Sequence, residues 1–259
     1  MDYKSANSKA WDWEAGHGSA WARIATEEDI EKARNGEPGI RVTINRNVPK
    51  EWIEPLKGKA VLALAAGGGQ QGPVLSAFGC GVTVLDISER MLERDREASE
   101  LYGLDIKCIQ GDMENLSAFR DKEFGGIVNP VSMNFIEDIG HVFREGNRIL
   151  SEGGSLIFGI ANPALYLFDD RLLAKGRMKV KYTLPFSDTK SLSKKELEKR
   201  IGKNDTVEFS HTLDAIIRGV TEAGFHIAGF FSDTSSFEPI DSFLSDCYLA
   251  FRCIKVNDL

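Results

Sequence analysis

Ala60-Val61-Leu62-Ala63-Leu64-Ala65-Ala66 runs without a break into Gly67-Gly68-Gly69-Gln70-Gln71-Gly72-Pro73. An unbroken apolar run with no polar alternate reads as a strand buried on both faces, the habit of parallel sheets. The glycine turn then leads into a helix over Gln71–Phe78 with Gly79 as its stop. In an open parallel sheet such a turn lies at the carboxyl edge, where ligands bind, and glycines there let a ligand approach the backbone.

Outward from this stretch, strand and helix signals alternate from about residue 59 to residue 160. Val82–Asp86 reads as a second strand, and Ser88 caps a helix that ends at Gly103. Met91, Leu92, Ala98 and Leu101 form that helix's inner face, and the charges from Glu89 to Glu97, Asp95 included, form its outer one. Strands follow at Asp105–Gln110, Phe124–Asn129 and Leu156–Ile160. An amphipathic helix bearing Ile139, Val142, Phe143, Ile149 and Leu150 precedes the last of these and closes at Ser151-Glu152-Gly153-Gly154. Beyond a break over residues 161–210, Leu213, Ile216, Ile217, Val220 and Ala223 mark another helix. Two final strands, His226–Phe231 and Tyr248–Lys255, are joined by a loop without helical pattern and should pair antiparallel.

The glycine turn points to a nucleoside ligand. Asp86 ends the neighbouring strand and can accept hydrogen bonds from two ribose hydroxyls. Gly67-x-Gly69-x-x-Gly72 with that acid fits a dinucleotide, and it equally fits S-adenosylmethionine (SAM), which has no phosphate. Further polar groups after successive strands favour SAM: Asp112 toward an adenine amino group, Met113 against the ring, and Asn129 in the same crevice.

Composition narrows the choice. The chain has 259 residues and a net charge of -7, which disfavours a general nucleic-acid binder. Cys80, Cys108, Cys247 and Cys253 form no CxxC pair, and the four histidines form no HxxxH, so neither a zinc nor an iron–sulfur site is expected. The longest apolar run is too short to span a membrane, and a reducing cytoplasm is the expected compartment.

On Ala60–Gly69, Val84-Leu85-Asp86-Ile87-Ser88 with Met91, Gly111-Asp112-Met113 and Arg148–Gly154, the chain resembles the class I SAM-dependent methyltransferases over roughly residues 55–255. Gly67–Pro73 and Asn129-Pro130-Val131-Ser132 look like a bacterial branch of that family. The resemblance implies a Rossmann-like α/β fold: a doubly wound, seven-stranded, mostly parallel sheet with an antiparallel last strand, the sixth and seventh making an antiparallel tail. It also implies that Ala65, Gly67, Gly68, Gly69, Asp86, Ile87, Met91, Asp112, Met113 and Asn129 hold SAM. Ala63 and Ala65 stand where the family usually has an acid and a glycine, so the SAM amino group must be anchored by backbone carbonyls or by the amino-terminal segment.

Residues 1–58, with Trp11, Trp13 and Trp21, read as a helical cap over the ligand edge, and residues 59–259 as the SAM-binding domain. The insertion over residues 161–210 carries Tyr166, Phe168, Tyr182 and Phe186 and is expected to bind and cover the acceptor. Arg171–Lys203 contains eleven basic and three acidic residues, either a greeting for an anionic acceptor or the solvated face of a helix capped by Ser193. The expected function is methyl transfer to a small anionic or aromatic molecule, with His211 as candidate base. An NAD(P)-binding oxidoreductase and a SAM-binding protein without catalysis are the alternatives.

Overall fold

Strand β1 (Ala60–Leu64) explains its own composition: Val61 and Ala63 point into one core, Leu62 and Leu64 into another, and all four are at most 1% exposed. The computed structural model describes residues 2–256. β1 lies inside a seven-stranded sheet with β2 (Gly81–Asp86), β3 (Ile106–Gln110), β4 (Phe124–Asn129), β5 (Leu150–Ala161), β6 (Phe225–Asp233) and β7 (Tyr248–Lys255), in the order β3-β2-β1-β4-β5-β7-β6. The order reverses between β1 and β4, so the loops after these two strands diverge and leave a crevice at the carboxyl edge.

Helices α1 (Tyr3–Gly16), α2 (Glu27–Arg34) and α3 (Lys50–Ile53) precede the sheet. α4 (Gln71–Phe78) and α5 (Glu89–Tyr102) cover one face together with α2, while α6 (Ile139–Ile149) and α10 (Leu213–Glu222) cover the other. Between β5 and α10 lie α7 (Asp170–Leu173), α8 (Asp188–Ser191) and α9 (Lys194–Ile201). α9 opens on a Ser193–Glu196 capping box and seats Leu197 with Val207 and Phe209 against Tyr3 and Ala6 of α1. The insertion thus rests on the amino-terminal helix.

Several expectations need correction. β1 stops at Leu64 because Ala65 turns left-handed at φ 47°, although its N–H still donates to the Leu85 carbonyl at 2.7 Å. Leu150 through Gly154 belong to β5 and not to a helix end, with a register shift against β4 and Gly153 at φ 70°. The expected antiparallel last strand is present: β7 pairs antiparallel with both β5 and β6, which leaves β6 running with the first five strands. Asp95 is not on the outer face of α5 but fully buried. On α10, Ile216 and Val220 are buried, whereas Leu213 and Ile217 are nearly half exposed.

A strap over residues 39–48 crosses the sheet where the site lies. Its Val42 carbonyl accepts from Val131 N–H at 3.1 Å and lies against Gly159 of β5 so closely that a side chain there would run into it. Gly159→Ala should therefore lower stability by about 1–3 kcal/mol in urea unfolding. Gly81→Ala, whose methyl meets nothing nearer than 3.9 Å, should change it by less than ~0.5 kcal/mol.

Candidate active site

The crevice holds two adjoining cavities. The first, of about 550 Å³, lies over the glycine turn between the ends of β1, β2 and β3 and the amino-terminal segment. Ala65, Gly67, Asp86, Ile87, Met91, Asp112 and Met113 all line it. Gly68, Gly69 and Asn129 do not; the N–H groups of the two glycines and Nδ2 of Asn129 donate inside the fold, while Oδ1 of Asn129 is buried without a partner.

Asp86 is the buried acid of this cavity. Its Oδ2 accepts from Gly67 N–H and its Oδ1 from Ser88 N–H, both at 2.9 Å. Each carboxylate oxygen accepts one backbone donor and keeps capacity for a second. Burial pushes its pKa up to about 6 against those hydrogen bonds. A methyl on Gly67 would sit 3.0 Å from this carboxylate and 2.9 Å from Met91 Cβ, so the glycine leaves room where a ligand would pass.

Gly68 and Gly69 serve the turn itself. Both N–H groups donate to Oδ2 of Asp95, at 3.0 and 3.2 Å, while Oδ1 of Asp95 is buried without a partner. Desolvation outweighs the two amides and raises the Asp95 pKa to about 7. The loop then hands on its own polar groups: the Gly69 carbonyl accepts from Ala25 N–H at 2.7 Å, Gln70 Nε2 donates to the Ala20 carbonyl and Gln71 Nε2 to the Arg41 carbonyl. These roles of Asp95, Gln70 and Gln71 escaped the sequence reading. For Asp95 a signal existed, since it lies four residues after Met91 and three after Leu92, on the inward side of α5.

Asp112 is shared. Its Oδ1 accepts from Glu114 N–H and its Oδ2 from Lys4 Nζ at 2.6 Å, and Lys4 also reaches Glu114 at 2.7 Å. Burial opposes the Lys4 ammonium, but these carboxylates prevail and raise its pKa. Ser8 Oγ donates to the Ile87 carbonyl, and Ser88 Oγ donates to Asp12 at 2.6 Å. Three successive turns of α1, through Lys4, Ser8 and Asp12, therefore fasten it across the first cavity. Asn129 is wholly buried; its Nδ2 donates to the Leu64 carbonyl at 2.7 Å and to Ser132 Oγ at 2.8 Å, tying the ends of β4 and β1 together.

The second cavity, of about 580 Å³, shares Trp11, Trp21, Ile44, Val131 and Phe135 with the first, so the two form one continuous cleft. Tyr166, Tyr182 and Phe186 of the insertion line it, whereas Phe168 does not. Tyr166 Oη donates to Glu208 Oε2 at 2.8 Å, and Arg200 reaches Glu208 Oε1 and Asp188 Oδ2 at 3.2 Å each. Burial, then the neighbouring Glu208 charge, hold the Tyr166 phenol well above its ordinary pKa. Arg200 is the only Lys or Arg among the residues lining this cavity. The rest of the basic stretch faces outward, with Arg171, Lys181 and Lys194 paired to Glu196, Asp169 and Glu198.

His211 reaches neither cavity. It is buried, with Nε2 3.1 Å from the carbonyls of both Met133 and Ile136, and burial lowers its pKa, so it is a neutral ring that pins the 133–136 turn. Among the described residues no group of three or more His, Cys, Asp or Glu could hold a metal ion.

Comparison with known proteins gives this geometry a context. A family model described as a methyltransferase domain matches residues 62–158. The chain is 44% identical over 250 residues to the uncharacterized methyltransferase YbaJ of Bacillus subtilis (strain 168), covering 96% of this chain and 97% of that one. Among solved structures, the 1,6-didemethyltoxoflavin-N1-methyltransferase of Burkholderia thailandensis superposes with a TM-score of 0.61 at 12% identity, over 99% of this chain and 90% of that one. A SAM-dependent methyltransferase of Mesorhizobium loti gives 0.59 at 20% identity, over 77% and 92%.

Two outcomes test the site's internal chemistry. Asp95 holds a proton in the folded state up to about pH 7. The unfolded chain releases that proton near the usual carboxyl pKa of about 4, so the group's contribution is most favourable at acid pH and is lost as pH rises toward its folded value. Asp95→Asn, which cannot ionise, should therefore gain on the wild type by at least ~1 kcal/mol between pH 5 and 8 in urea unfolding. His211→Ala should cost roughly 1–3 kcal/mol through the carbonyls left without a donor.

Proposed function

From the premise that the chain belongs to the class I SAM-dependent methyltransferase family, we propose that the first cavity holds SAM and the second a small-molecule methyl acceptor. The observation that carries this assignment is the continuity of the two cavities across Trp11, Trp21 and Phe135, with Asp86 buried at the far end of the first. The residues present fit the cofactor. Asp86 keeps acceptor capacity for ribose hydroxyls, Gly67 leaves an open cradle, and Met91, Ile87 and Met113 offer apolar walls to an adenine.

When bound, SAM supplies a methyl group already activated on a sulfonium. What is left to the protein is to position the acceptor and keep water out. The rings shared by the two cavities form the dry wall at their junction. The backbone of Ala65 and Gly67, with side chains from residues 1–58, would anchor the amino-acid end in place of the missing β1 acid. Residues 1–58 would act as a cap, fastened through Lys4, Ser8 and Asp12, on a SAM-binding domain spanning residues 59–259. The insertion over residues 161–210 would close on the acceptor. No side chain is assigned as a general base.

A dinucleotide fits less well, because its pyrophosphate needs the glycine-loop amides, and two of these already donate to the carboxyl of Asp95. A SAM-binding protein without catalysis would have no use for the second cavity. No helix among the described residues is long and apolar enough to cross a membrane. Four free cysteines support a reducing, cytoplasmic setting.

Calorimetry should show binding of SAM and S-adenosylhomocysteine (SAH) and none of NADH; NADH binding without SAM binding would overturn the assignment. Asp86→Ala should weaken SAH by about tenfold or more, the scale of a lost hydrogen bond to a charged group. Because the acceptor role needs the ionised carboxylate, SAH affinity in the wild type should rise with pH through about 6.

A further inference from the structure

We propose that the second cavity selects a small organic cation, an amine or a protonated nitrogen heterocycle, whose charged nitrogen is the recognition group held against carboxylates with its apolar body against aromatic rings; the methyl goes to a different atom of the ligand that carries a free lone pair, and any proton on that atom leaves to solvent. This rests on the methyltransferase reading and names the acceptor class for the same site.

Three features of the cavity converge. First, its ionisable lining is acidic: Glu14, Asp205 and Glu208 stand against one cation, Arg200. That guanidinium is committed, since it lies 3.2 Å from both Glu208 and the fully buried Asp188. Glu208 in turn is held by the Tyr166 hydroxyl at 2.8 Å, so its carboxylate is fixed while 24% of its side-chain surface stays open. An anionic acceptor would face three carboxylates with no free cation to meet it, and like charges at close range discriminate strongly.

Second, eight aromatic side chains line the cavity. Phe186 packs on Tyr166 at 5.7 Å and on Tyr182 at 4.8 Å between ring centroids, and Trp11 meets Phe135 at 5.3 Å. Rings beside carboxylates recognise an organic cation, whose charge is attracted to their π faces. Third, Asn134 lines the cavity, is only 6% exposed, and carries a buried Oδ1 with no hydrogen-bond partner. A buried acceptor oxygen without a partner costs free energy, so a turn of this side chain toward the cavity that meets a ligand N–H would be favourable.

The basic stretch of the insertion does not contradict this. Lys181 lies 4.5 Å from the ring centroid of Tyr182, yet it is paired to Asp169 and is exposed. Lys194 and Lys195 are exposed on α9 and line neither cavity.

The test uses the full chain saturated with SAH and two probes of matched ring and spacer, 2-phenylethylamine and 3-phenylpropionate, titrated by calorimetry. The amine should bind about tenfold more tightly or better. Glu208→Gln, which keeps an acceptor for Tyr166 but removes the charge, should shrink that preference by about fivefold, as should Asp205→Asn in a smaller degree. Glu137→Gln, an exposed acid outside both cavities, should leave it unchanged. A carboxylate probe that binds as well as the amine, binding of neither probe, or a preference untouched in both acid variants would overturn the proposal. Failure of SAH itself to bind would instead sink the methyltransferase reading, so the two outcomes are separable.

Discussion

One buried carboxyl organises the ligand edge. Asp95 reaches from α5 under the glycine turn and takes the N–H groups of Gly68 and Gly69 on a single oxygen. Without it the Gly69 amide would be a buried donor with no partner, costing roughly 1–3 kcal/mol, and the Gly68 N–H would keep only the Met91 carbonyl at 3.0 Å. With it the turn is held in a conformation that only glycines tolerate: Gly68 and Gly69 sit at φ 122° and 79°, and a side chain on Gly68 would strike the Trp21 carbonyl. Gly72 belongs to the same arrangement, because a methyl there would come within 2.8 Å of Asp95 Oδ1. The repeated glycines are thus explained by close approach of backbone and carboxyl as much as by any ligand.

From that fixed turn the amino-terminal segment takes its place. Gly69, Gln70 and Gln71 bind backbone groups of Ala25, Ala20 and Arg41, and α1 is fastened to the ends of β2 and β3 through Asp12, Ser8, Lys4 and Tyr3. Asn7 of α1 in turn exchanges hydrogen bonds with the backbone of Val207, at 2.7 and 3.0 Å, which seats the insertion. A chain of polar contacts therefore runs from the glycine turn to the wall of the second cavity. Apart from the exposed Gln70 and Gln71 contacts, each link is partly or wholly shielded from water, so the two cavities share one framework although they take residues from opposite ends of the chain.

How much of this was legible in the sequence follows from the range of the forces involved. The buried central strand, the Ser88 and Ser193 caps and the helix over Gln71–Phe78 are local matters of burial pattern and backbone donors, and they stand where the sequence places them. The acids at strand ends were equally legible, because strand order puts Asp86 and Asp112 at one edge. What depends on long-range packing was not. Leu150 joins β5 by pairing with Phe124 of β4, and Lys255, far along the chain, donates to its carbonyl at 2.9 Å. His211 looked like a base by type and is a buried brace by its neighbours, Met133 and Ile136. Asn129 ends the right strand but turns its amide inward to Leu64 and Ser132.

Charge shows the same limit most sharply. Summed along the chain, the insertion is the most basic part of an acidic protein, yet its lysines are exposed, where a Debye length of about 8 Å in physiological salt screens them from the cavity behind. The groups that face the cavity are the acids Glu14, Asp205 and Glu208, and Arg200 is neutralised by Glu208 and Asp188. A ligand inside responds to these near charges and not to the distant and solvated ones. The sign of a segment's charge therefore describes its outer surface, while the sign of the pocket is set by the few side chains the fold turns inward.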